Sequence, residues 1–195
     1  MPKVSEEHKR ARREEIARAA LRCFGEKGYA ATSMADIIRE SGLSAGAIYG
    51  YYTNKSELVR EAMRSVVVGR FTELERAREG KATLRPSELV VEFLQGVTEA
   101  VVRPGLIVQV WANAQLDPAL EETVQGAVGE IGRLFRDYLE SWYVAGGMAT
   151  SEAQTRAQAE YPVYVAVCQG YLVHAATVRD FDRAAYFDAV TRVLP

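Results

Sequence analysis

Apolar residues recur along this chain at intervals of three and four, the spacing that gathers side chains on one face of a helix. Ile16, Ala20, Cys23 and Phe24 stand at i, i+4, i+7 and i+8, which predicts a helix over 9–27 stopped by Gly28. Ser33-Met34-Ala35-Asp36 places a capping serine three residues before an acidic one, and the short helix it opens ends at Ser41-Gly42. Ser44 caps the next helix, which carries Ala47, Ile48, Tyr51 and Tyr52. Asn54-Lys55-Ser56-Glu57 repeats the capping pattern and begins a long helix running toward residue 79.

Beyond a break at Glu79–Thr83, Pro86 fits the first turn of a helix bearing Leu89, Val90, Phe93, Leu94 and Val97. Arg103-Pro104-Gly105 interrupts again. Asp117-Pro118 is a helix start, followed by Leu120, Val124, Val128, Ile131, Phe135, Tyr138 and Trp142 and a stop at Gly146-Gly147. A further helix is expected from Ser151 through Arg179, and Asp182 caps a last one. No segment alternates as a strand would, so the fold should be all-α with about nine helices.

Composition narrows the choice of function. Apolar residues make up 48% of the chain and charged residues 26%, as in ordinary globular proteins. No apolar run is long enough to cross a bilayer and the first thirty residues are too charged for a signal peptide, so a cytoplasmic protein without membrane partners is expected. Two cysteines, Cys23 and Cys168, and two histidines, His8 and His174, argue against a disulfide framework, a metal site or histidine-based catalysis. No nucleophile elbow, phosphate loop or ligand cluster is present; neither enzyme chemistry nor a cofactor is expected. The net charge of −2 hides an asymmetry: residues 1–60 hold 11 basic against 8 acidic residues, the remainder 13 against 18. Lys9, Arg10, Arg12 and Arg13 concentrate the basic charge at the start.

That surplus coincides with two short helices meeting at Gly42-Leu43, a helix-turn-helix pattern. Gly42 can take the positive φ that ends the first helix, Leu43 fills the gap, and Ser44 presents free N–H groups to a phosphate. Phe24-Gly25-Glu26-Lys27-Gly28-Tyr29, Thr32-Ser33 through Ile37, Ser41-Gly42-Leu43-Ser44, Ala47-Ile48-Tyr49-Gly50-Tyr51-Tyr52 and Asn54-Lys55-Ser56-Glu57-Leu58 follow in order. Over residues 10–60 this series resembles the TetR family of bacterial regulators.

The resemblance implies a DNA-binding head at 1–60 on a helical ligand-binding and dimerisation body at 61–195. Ser33 and Lys55 would meet phosphates; Ser44, Ala45, Gly46, Tyr49 and Tyr51 would face the groove; Ile48 and Tyr52 would pack the head. Ala45 and Gly50 stand where long polar side chains would be expected, so the recognition helix is poor in groups that read base edges. After residue 60, Val110–Gln115 with Asp117-Pro118 is similar to the family's sixth-to-seventh helix connection, and Arg179–Asp182 with Tyr186-Phe187 to its last helix join. The resemblance implies a homodimer through the last two helices, gripping a near-palindromic double-stranded operator as a repressor and released by a small hydrophobic or aromatic effector. Candidate effector contacts are Phe93, Val97, Trp111, Gln115, Ile131, Phe135, Tyr138, Trp142, Tyr164, Cys168 and Gln169. The alternative is a helical adaptor that has lost specific DNA binding.

Overall fold

The computed structural model describes residues 6–77, 83–100 and 104–195. The breaks expected at 79–82 and at Arg103 lie outside these residues. Among the described residues there are nine helices and no strand. None of the nine is long and apolar enough to cross a membrane.

Local caps explain the first half of the chain. Helix α1 (Glu6–Lys27) buries Ile16, Ala20, Cys23 and Phe24 and ends at Gly28, whose φ of +80° lets its N–H reach the Phe24 carbonyl. Helix α2 (Met34–Ser41) opens with a complete capping box: the Ser33 side chain accepts from the Asp36 N–H, and the Asp36 carboxylate accepts from the Ser33 N–H. Gly42, at φ +68°, ends α2, and Ser44 caps α3 (Ala45–Tyr49) by accepting the Ala47 N–H. Helix α4 (Lys55–Ala77) is capped by Asn54, which accepts the Glu57 N–H at 2.9 Å, while Glu57 accepts from Thr53 rather than from the cap itself.

The second half is held by long helices. These are α5 (Pro86–Ala100), α6 (Gly105–Ala114), α7 (Pro118–Ala145), α8 (Thr150–Thr177) and α9 (Arg183–Val193). Asp117 caps α7 by accepting from Ala119 and Leu120, and Asp182 caps α9. Helix α8 begins one residue before the expected Ser151, without a side-chain cap, and closes two residues short of Arg179.

Helices α7 and α8 pack antiparallel: Tyr143 meets Glu160, and the Tyr161 ring lies over Gly132, where an added Cβ would come within 2.9 Å. Helix α4 rests on α1, α5 and α7, and α6 on α7 and α8. Phe71, Phe93, Phe135 and Tyr164 form the aromatic centre, with ring centroids 4.9–5.9 Å apart.

The apolar run of α8 divides as its periodicity requires. Tyr164, Cys168, Tyr171 and Leu172 are buried, while Pro162, Val163, Ala166 and Val173 lie uncovered on the other side. Gly170 admits α9: the Tyr186 hydroxyl sits 3.3 Å from where its Cβ would be and donates to the Val167 carbonyl.

Candidate functional site

In the helix-turn-helix, Ile48 and Tyr52 are buried in the core, and α3 packs against α2. Tyr49 is 50% exposed and projects from the short helix; Tyr51 is half-buried against the core. Ser44, Ala45 and Gly46 are exposed, with open space around Gly46. The outer face of α3 is therefore small residues and one projecting tyrosine.

The rim of this unit is more tightly wired than its sequence reveals. Ser33 Oγ donates to Asp36 Oδ2 at 2.7 Å, while Asp36 Oδ1 takes Lys27 and Arg39, both at 2.5 Å. Hydrogen bonds from Lys27 and Ser33 lead the causes that hold the Asp36 carboxyl well below the usual range. Lys55 Nζ donates to the carbonyls of Tyr29 at 2.8 Å and Thr32 at 2.9 Å, with Ala30 at 3.4 Å, and sits 4.3 Å from the centre of the Tyr29 ring. Its ammonium is thus engaged on the α1–α2 connection, and burial lowers its pKa.

Gln109 and Ser56 also converge on Tyr29, and Ser56 links it to Asp117; of these, Gln109 and Asp117 lie outside the unit expected at 1–60. The Tyr29 N–H is accepted by Gln109 of α6, and its hydroxyl lies 3.3 Å from Ser56 Oγ. Ser56 in turn donates to Asp117 Oδ2, the carboxylate whose other oxygen caps α7. The only signal for Gln109 was a polar residue inside the apolar run Leu106–Trp111.

A cavity of about 80 Å³ lies beneath the unit. Leu21 and Phe24 of α1 and Val59, Ala62, Met63, Val66 and Val67 of α4 form its upper wall; α5 to α8 complete it. Phe93, Val97, Trp111, Ile131, Cys168 and Gln169 line it, as do Leu21, Phe24 and the α4 residues, which were not foreseen.

The other five candidates lie elsewhere. Phe135 and Tyr164 stack behind the wall in the aromatic centre, and the Tyr138 hydroxyl donates to the Leu84 carbonyl. Trp142 packs edge-on against Tyr143, beside Met148 and Arg156 at the far end of α7. Gln115 is exposed at the end of α6. Burial pushes the Cys168 thiol far above its ordinary pKa, so it stays protonated.

Residues 16–62 match the model for bacterial regulatory proteins of the tetR family. The chain is 30% identical over 141 residues, 69% of each partner, to the uncharacterised HTH-type transcriptional regulator YfiR of Bacillus subtilis. It belongs to the TetR family of transcriptional regulators.

The match to the HTH-type transcriptional repressor Rv1474c of Mycobacterium tuberculosis reaches 43% identity but is confined to 58 residues, 30% of this chain and 31% of that one. Over the whole fold, the TetR-family chain is similar to the multidrug binding protein EbrR, solved with imidazole, at 21% identity and a TM-score of 0.58 over 94% of this chain and 95% of that one. The relatives it matches are transcriptional regulators rather than enzymes.

Proposed function

We propose that this regulator is a homodimeric repressor that holds a near-palindromic operator in the cytoplasm and lets go when a small hydrophobic molecule enters its cavity. The observation that carries the reading is the composition of the cavity wall. One side is built from α1 and the first four turns of α4, the helices that support the helix-turn-helix; the other side is built from the body. A molecule that enlarges the cavity must move one side against the other. It shifts the equilibrium only by its difference in affinity for the two arrangements. That EbrR, of the same fold, was solved with imidazole, and that Rv1474c is named a repressor, supports the same reading.

In this proposal residues 1–60 bind DNA and 61–195 bind effector and partner. Tyr49 and Tyr51, with Ser44, Ala45 and Gly46, face the major groove, and Ser33 and Lys55 line the phosphate rim. Lys55 reaches a phosphate by giving up one of its carbonyl partners. A two-fold dimer places its recognition helices about one helical turn apart, roughly 34 Å. The uncovered stripe of α8, with exposed Val193 of α9, supplies an apolar surface for the partner copy.

The test is fluorescence anisotropy on DNA selected by the protein from a random pool. Affinity should fall by about a thousandfold or more between 50 and 200 mM salt if six or more phosphates are contacted. The enriched site should show two-fold symmetry. Failure to enrich any site would leave a helical adaptor in its place.

A further inference from the structure

The walls of the cavity restrict the chemistry of its occupant more narrowly than size alone. Among the described residues that line it there is no lysine, arginine, aspartate, glutamate or histidine. Its surface is almost wholly carbon, from leucine, valine, isoleucine, phenylalanine and methionine side chains. Gln169, Trp111, Cys168 and Met63 carry heteroatoms, yet the surface turned to the cavity is carbon almost throughout.

From this we infer that the effector is an uncharged, compact, largely hydrocarbon molecule and that carboxylates and ammonium ions of the same shape are turned away. The inference rests on the reading of the cavity as the effector site.

The physical reason is desolvation. A carboxylate or ammonium taken from water into such a wall loses its hydration and finds no counter-ion, a loss of several kcal/mol even after relaxation. Cys168 shows the same environment acting on a resident group, since burial raises the pKa of its thiol. A neutral hydrocarbon ring loses nothing on entry and gains contacts.

Gln169 is half-buried on α8 and adds almost no polar surface to the cavity, so a polar group on the occupant finds little to bind there. Size follows from the volume and from Met63. About 80 Å³ admits one small ring once a flexible methionine yields, and a larger skeleton only by parting α4 from the body.

The test uses the full-length protein and four one-ring probes of nearly equal shape: toluene, benzyl alcohol, benzoate and benzylammonium at pH 7. Binding is read by calorimetry and by the shift of the melting midpoint. Toluene and benzyl alcohol should bind at least 100-fold more tightly than either ion.

Ala127→Phe, which fills the cavity from α7, should abolish binding of both neutral probes while still melting cooperatively. Benzoate or benzylammonium binding within tenfold of toluene overturns the inference, as does neutral-probe binding that survives Ala127→Phe. If none of the four binds, the effector-site reading falls together with it. Selective binding of the neutral pair, lost in the filled variant, sustains both.

Discussion

Gln109 and Tyr29 stand 80 residues apart, yet the Gln109 carboxamide accepts the Tyr29 backbone N–H at 3.2 Å. The bond ties α6, which lines the cavity through Ile107, Val110 and Trp111, to the connection between α1 and α2. Whatever shifts α6 therefore acts on the helix-turn-helix through a second route besides α4.

Gln109→Ala should loosen that tie without emptying the core, since its side chain lies at the surface. The loss is about 1 kcal/mol, the net worth of one such hydrogen bond. Native-state amide exchange should show faster opening in α1–α3 and unchanged protection in α7 and α8. Uniform loss across all helices would mean that the bond supports the whole fold rather than one joint.

Gly28 faces the same amide. Its φ of +80° disfavours any side chain, and an added Cβ would stand 2.6 Å from Gln109 Oε1. Gly28→Ala should cost about 1–3 kcal/mol, read from the urea midpoint, combining backbone strain with the clash. In the Gln109→Ala background the clash disappears and only the backbone part should remain, so the two substitutions should be less than additive.

Lys55→Met keeps most of the side-chain volume and removes the ammonium from its carbonyls. Stability should drop by about 1–2 kcal/mol, because hydrogen bonds from a charged donor are the stronger class. On DNA, the slope of log affinity against log salt should fall by about 0.9, the value for one phosphate contact. An unchanged slope with the same loss of stability would confine Lys55 to bracing the α1–α2 connection.

Asp36 gives the protein a defined response to acid. Its folded pKa lies below the unfolded value of about 3.9, so its contribution is fully present above that value and lost as pH falls through the folded one. Asp36→Asn should lower stability at neutral pH and flatten the pH dependence below about 4, followed by acid titration of the melting midpoint. A carboxyl resonance of Asp36 titrating near 4 would contradict the hydrogen bonds seen from Lys27 and Ser33.

What the sequence disclosed and what it withheld divide along the range of the interactions. Ser33, Ser44, Asp117 and Asp182 were legible as caps because a cap is settled within three residues of itself. The start of α8 was not, because Ala149 offers no side-chain acceptor and leaves the boundary to packing. Helical periodicity placed Phe93, Val97, Ile131 and Cys168 on inward faces. It could not tell a cavity wall from the layer behind it, which is where Phe135 and Tyr164 lie. Gln115 sits just beyond the last turn of α6, where periodicity no longer predicts a direction. Gln109, Ser56 and the inner face of α4 depend on contacts made across dozens of residues, and no local pattern announces them.

Phe24 both lines the cavity and sits against Tyr29, with ring centroids 5.7 Å apart, inside the core of the DNA-binding unit. One side chain is thus shared between two selective pressures. A change there that suits a new effector also disturbs the seat of the helix-turn-helix, whereas changes at Ile131 or Gln169 carry no such penalty. Over the history of such a chain, new effector preferences should accumulate on the α5–α8 side of the cavity, leaving the α1 wall as its fixed surface.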